Sequence, residues 1–148
     1  MLSNLMGKFS VIGVQELHGV DADLHRLQNE APQGRLLGSP GPSAAVGGVL
    51  LWFGPKLVQL AHDFVHEVVV PGRLHYVDIL LPDLVVRVAN VHIQEISGLS
   101  KFDIVDSLSY ILKFPFDGLL IVLGDFNATV YGEGRYNADK GLRHAASE

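Results

Sequence analysis

Three runs of valine, leucine and isoleucine each break off into a polar tip, and that repetition restricts what the chain can become. Val11-Ile12-Gly13-Val14 stops at Gln15-Glu16, the run from Leu84 to Ile93 carries Asn90-Val91-His92, and Leu119 to Leu123 is closed by Gly124-Asp125-Phe126-Asn127. Short continuous apolar runs of this kind read as strands covered on both faces. Side chains alternate along an extended chain, so Asn90 and His92 share one face while Val91 and Ile93 point into a core. Asp125 and Asn127 are expected to share a face in the same way, with Phe126 turned inward. Gly124 is expected to let the chain bend and a ligand approach closely. Strand tips bearing a glutamate, a histidine and an aspartate–asparagine pair are candidates to converge on one cleft.

The rest of the chain supplies the cover. With 148 residues, 48% hydrophobic and 18% charged, it has the length of one domain and the reverse of a disordered composition. Val49 to Phe53, His66 to Val70 and Leu74 to Leu81 read as further strands, and Pro82-Asp83 between Leu81 and Leu84 marks an antiparallel hairpin. Ser100 to Lys113 repeats apolar residues at helical spacing, with Ser100 as cap and Asp103 at the third helical position. Asp21 to Glu30 reads as a short helix capped by Asp21. Residues 32 to 48, dense in glycine and proline, read as a loop, and residues 131–148 as a polar, Gly-rich flexible tail. Strands mixed with helices point to an α/β fold, a layered sandwich with mixed, largely antiparallel sheets.

Composition removes several function classes. The net charge is -5 and lysines and arginines are scattered singly, which excludes the basic face of a conventional nucleic-acid binder. Action on a nucleic acid or phosphoester therefore requires metal ions to supply positive charge. Without cysteine there is no disulfide and no thiolate metal site, in agreement with a reducing, intracellular setting. A membrane-spanning helix needs about 20 apolar residues, and Pro55, Lys56, Asp78, Asp83 and Arg87 interrupt every candidate run. Met1 to Ser10 lacks the charged flank, apolar centre and small-residue cleavage site of a signal peptide.

The polar tips suit Mg²⁺, with Mn²⁺ as a substitute. Magnesium prefers carboxylate and water oxygens and takes only one or two protein carboxylates beside substrate phosphate. A second carboxylate can orient or deprotonate the attacking water, while Asn and His side chains can hydrogen-bond phosphoryl oxygens where charge accumulates.

Val14-Gln15-Glu16, Gly47-Gly48-Val49, Val88-Ala89-Asn90-Val91-His92 and Val122-Leu123-Gly124-Asp125-Phe126-Asn127-Ala128 follow one another along the chain. In that order they resemble successive signatures of the endonuclease/exonuclease/phosphatase superfamily. Its members include abasic-site endonucleases, deoxyribonucleases, LINE-type retrotransposon endonucleases, sphingomyelinases and inositol polyphosphate phosphatases. The resemblance implies that Glu16 is a metal ligand and that Asp125 positions or activates the nucleophilic water. It implies that Asn127 steadies the phosphate and that His92, with Asn90 beside it, contacts substrate. A histidine at 92, where the abasic-site and LINE-type branches usually carry tyrosine, leans toward the deoxyribonuclease-like and phosphatase-like branches.

Two features of the family pattern are not matched. An early-strand asparagine should lie well upstream of the glutamate, and Asn4 is too close to Glu16 to fill that role. A further aspartate and a late Asp-His pair should follow, whereas only Asp139 and His144 come after Asn127 and neither fits. The expected domain is therefore partial over residues 1–148, with sheets incomplete at both ends. Catalytic units fail together, so lack of the Asp-His pair would cost several orders of magnitude in rate. Two expectations stand side by side: a Mg-dependent phosphoesterase or nuclease acting on nucleic acid or a small phosphoester, and a catalytically inactive family fragment serving as an interaction module or truncated product. A third reading places His62 and His66 on one helical face as zinc ligands. Asp63 in place of a longer glutamate base, and a competing strand that ends at Pro71-Gly72, weigh against it.

Overall fold

A computed structural model describes residues 5–6, 8–43, 45–94, 100–113, 115–127, 135–137 and 142–144. One sheet contains β1 (Val11–Gln15), β2 (Arg35–Ser43) and β3 (Val46–Phe53) in the antiparallel order β1-β3-β2. A second contains β4 (Asp63–Val70), β5 (Leu74–Leu80), β6 (Val85–His92) and β7 (Leu119–Asp125) in the order β4-β5-β6-β7. Its first three strands are antiparallel, and β7 joins β6 in parallel. Two short strands, β8 (Arg135–Asn137) and β9 (Leu142–His144), pair with each other within the segment that the sequence left without a strand pattern.

Alternation along the strands divides the core into three apolar clusters. Leu51, Phe53, Phe64, Val77, Ile79, Val86 and Val88 interlock between the two sheets. The helix α1 (Asp21–Glu30) covers the outer face of the first sheet by setting Leu24 and Leu27 against Leu36, Leu50 and Trp52. A short helix, α2 (Pro55–Leu60), carries the chain from one sheet to the other, and its Leu57 and Val58 close one end of the inter-sheet core. The helix α3 (Lys101–Lys113) covers the outer face of the second sheet with Ile104, Leu108 and Ile111 against Leu74, Val91 and Ile93. The result is the expected α/β sandwich, four layers deep. Among the described residues no helix is long and apolar enough to cross a membrane.

Several local expectations change. Residues 32 to 48 are mostly strand rather than loop, because β2 runs along the sheet edge. Proline lacks a donor, and an edge strand tolerates that loss where a central one does not; the register shift between Pro40 and Ser43 accommodates Pro42. Val20, not Asp21, occupies the cap position of α1, and the Asp23 carboxylate accepts the Val20 N–H at 3.0 Å. The cap of α3 is as expected: the Asp103 carboxylate accepts both the N–H and the hydroxyl of Ser100 at 2.8 Å. His62 and His66 do not share a helical face, since Asp63 already begins β4.

The inter-sheet space is apolar at the α2 end and polar at the other. His75, fully buried on β5, meets His66 of β4 with Nδ1 and Nε2 2.9 Å apart. A hydrogen bond between two imidazoles needs one donor and one acceptor, so at least the accepting ring is neutral in it. Burial, and secondarily the neighbouring His66, hold the His75 pKa down from 6.5 to about 3. The unfolded chain therefore binds a proton that the folded chain refuses as pH falls below 6.5. This contribution to stability is complete above pH 6.5 and is lost progressively toward pH 3, by on the order of 5 kcal/mol at most. We expect stability from urea unfolding to fall between pH 6.5 and 4.5, and His75→Gln to flatten that slope; an unchanged slope in the variant would refute the assignment.

Candidate active site

The polar end of the sandwich begins with Asn90. This residue is fully buried on the inner face of β6. Its amide nitrogen donates to the Val14 carbonyl at 3.0 Å and the Leu50 carbonyl at 2.9 Å, and its oxygen accepts from Gln15 Nε2. Val14 and Leu50 are opposite one another in the β1–β3 ladder. A single side chain thus ties the second sheet to two strands of the first, two residues before Glu16 and two before His92. This geometry commits the Asn90 amide to the framework.

Beyond that tie the strands end together. His92 is the last residue of β6, with 1% of its side chain exposed, and its Nε2 lies 3.8 Å from Glu16 Oε1. Glu16 follows β1 in a left-handed conformation, φ 55°, which turns its carboxylate toward the mouth of the site. That carboxylate is 57% exposed, so water and ligands reach it. Asp125 ends β7 directly beside His92 in the parallel register, and its carbonyl accepts the Ile93 N–H at 2.8 Å. Glu16, His92 and Asp125, far apart in sequence, are brought to one end of the molecule.

Asn127 follows as part of a turn. Its N–H donates to Asp125 Oδ1 at 2.9 Å and its φ is 43°. The backbone has left the strand, so alternation no longer applies, and Phe126 is 41% exposed rather than turned inward. The space beside Gly124 is also filled differently from expectation. A Cβ there would lie 2.0 Å from the Val91 carbonyl oxygen, so the glycine serves the close approach of β6 rather than of a ligand.

Sequence reasoning missed Arg73. It stands at the end of a turn in which Pro71 and Gly72 occupy the central positions, closed by the Arg73 N–H to the Val70 carbonyl at 2.9 Å. Its side chain is 2% exposed and folds back between the sheets. Nε donates to the Gln94 carbonyl at 3.1 Å, Nη1 donates to the Gly72 carbonyl at 3.1 Å, and Nη1 lies 3.4 Å from His92 Nδ1. The Gly47-Gly48 pair makes this possible: a Cβ on Gly47 would fall 2.2 Å from Nη1, and its φ of 68° suits glycine. Arg87, by contrast, is occupied elsewhere by Asp78 through two 2.7 Å bonds. Nothing in a lone Arg after Pro-Gly signals burial; the glycine pair was the visible trace.

Burial is the main reason that the His92 pKa is lowered, Arg73 adds to it, and Glu16 and Asp125 oppose it. At neutral pH the imidazole is therefore neutral and able to donate a hydrogen bond without carrying charge. Among the described residues no three His, Asp or Glu side chains are grouped closely enough to hold a metal ion by themselves. Asp139 and Asn4 lie outside the described residues.

Layered sheets whose tips gather a carboxylate, an imidazole and an Asp-Asn turn form a hydrolase-type fold of the nuclease and phosphodiesterase kind. The chain belongs to the Endonuclease/Exonuclease/phosphatase family, whose profile matches residues 1–146. No curated protein matches it. Among solved structures, D. rerio TDP2 complexed with single strand DNA product is similar with a TM-score of 0.60 and 15% identity, over 85% of this chain and 51% of that one. The human Nocturnin catalytic domain with bound sulfate anion is similar with a TM-score of 0.55 and 18% identity, over 84% of this chain and 54% of that one. The chain thus spans about half the length of these two structures.

Removing the Asn90 amide leaves buried carbonyls and Gln15 without their partner, at a cost of about 2–4 kcal/mol. We expect Asn90→Ala to lower the urea midpoint accordingly with the denaturant slope unchanged; a shift of under about 0.5 kcal/mol, the size of an ordinary surface substitution, would contradict this role.

Proposed function

We propose that the site hydrolyses a phosphoester by in-line attack of water with help from a divalent cation, Mg²⁺ or Mn²⁺. The observation that carries this reading is the meeting of Glu16 and His92 at 3.8 Å beside the Asp125 tip. The exposed Glu16 carboxylate is a hard oxygen donor and fits such a cation, which needs only one or two protein carboxylates. When bound, the cation would supply the positive charge that a chain of net charge -5 lacks. Asp125 would orient the attacking water. Asn127 would steady the phosphoryl group, and neutral His92 would donate to an oxygen where negative charge develops. Asn90 acts behind them by fixing where the strands end.

Nucleic acid and small phosphoesters are the substrate classes. The single strand DNA product held by TDP2 supports the first, and the sulfate in Nocturnin, an anion shaped like phosphate, is compatible with both. A second reading is an inactive family domain that serves in interaction.

The test is hydrolysis of plasmid DNA, a single-stranded oligonucleotide and a chromogenic phosphodiester with Mg²⁺ or Mn²⁺. We expect turnover that EDTA abolishes and that Glu16→Gln or Asp125→Ala lowers at least 100-fold, the lower range for loss of a positioned proton-transfer group. No turnover above the EDTA blank with any substrate would sink the catalytic reading and leave the interaction module.

A further inference from the structure

We propose that Arg73 is a positioning residue that fixes which nitrogen of His92 carries the proton. The inference rests on the reading of His92 as a phosphate-binding group, and adds what makes it a donor.

A neutral imidazole has one N–H and one bare nitrogen, and its neighbours decide which is which. On one side of His92, Arg73 Nη1 lies 3.4 Å from Nδ1. A guanidinium has only donors, so it requires Nδ1 to be the acceptor. On the other side, Nε2 lies 3.8 Å from a Glu16 oxygen. An ionised carboxylate only accepts, so it favours a proton on Nε2. Both neighbours select the same tautomer: bare Nδ1 toward the buried arginine, Nε2–H toward the mouth of the site. The opposite tautomer would set N–H against N–H on the inside and a lone pair against a carboxylate on the outside.

The surroundings of Arg73 suit this task. Its guanidinium is anchored by the Gln94 and Gly72 carbonyls. Its own carbonyl accepts the His92 N–H at 2.8 Å, so the two residues are joined through the backbone as well as the side chains. Among the described residues it forms no ion pair within 4.0 Å. It is also 2% exposed, hidden from any ligand at the mouth. An arginine held this way acts through His92 rather than on substrate.

The experiment is nitrogen NMR of the His92 ring in the full chain, at a pH where the ring is neutral. We expect wild type to show a pyridine-like Nδ1 and a pyrrole-like Nε2. Arg73→Met should give a mixture of tautomers, and Arg73→Lys, which keeps a donor-only cation, should restore the wild-type pattern at least partly. If Arg73→Met fails to fold, Gly47→Ala takes its place, because the added methyl displaces Nη1 without removing the arginine. A pyrrole-like Nδ1 in wild type, or an unaltered His92 signature in Arg73→Met or its substitute, would overturn the proposal. The NMR readout needs no substrate, so a wild-type protein without hydrolytic activity would remove the phosphate reading and leave the tautomer result to stand or fall by itself.

Discussion

One buried amide determines where everything else at the polar end can be. Asn90 donates to carbonyls of two neighbouring strands in the opposite sheet and accepts from Gln15. Two sheets held only by apolar contact can slide over one another at small cost, because dispersion and water exclusion have little direction. Hydrogen bonds do have direction. The amide therefore fixes the end of β1 against the end of β6, and with them Glu16 against His92. Its desolvation is offset because its donors and its acceptor are met, and a half-satisfied amide at the same place would be worse than a leucine.

The same directional logic runs through the polar end as a whole. The space between the sheets changes from Phe53, Phe64, Ile79 and Val86 at one end to His75, Asn90, Arg73 and His92 at the other. Burial penalises charge, so both His75 and His92 are held neutral. Arg73 cannot respond by giving up its proton at ordinary pH, and instead it finds main-chain carbonyls. The site thus combines a fixed internal cation, a neutral imidazole in front of it and exposed carboxylates at the mouth. Under the proposed reading, that sequence of charges from inside to outside would receive an anionic group together with a cation.

Much of this was legible in the residues. Alternation in Leu84 to Ile93 separated Val91 and Ile93 from Asn90 and His92; that the first pair meets α3 while the second is buried between the sheets came only from the structure. Four short motifs in order sufficed to indicate the family. The strand β2 was not legible, because Gly38, Pro40, Gly41 and Pro42 have low strand propensity and the strand forms through edge pairing with β3. The exposure of Phe126 was missed because alternation holds only while the backbone stays extended, and it turns after Asp125.

By itself the sequence determined most of the strands, the two longer helices, the polar tips and the family, since hydrophobic period, turn residues and motif order are local properties. Tertiary structure alone decided that Asn90 serves the framework, that Glu16 meets His92 across 3.8 Å, and that Arg73 lies buried behind the imidazole. Those facts depend on residues from β1, β3, β5 and β6 meeting between two sheets. Contacts between distant segments arise from sheet registry and packing, which no single stretch of the chain encodes. A buried arginine is the sharpest instance: in sequence it is one more charged residue, and only the carbonyls and glycines around it make it part of the site.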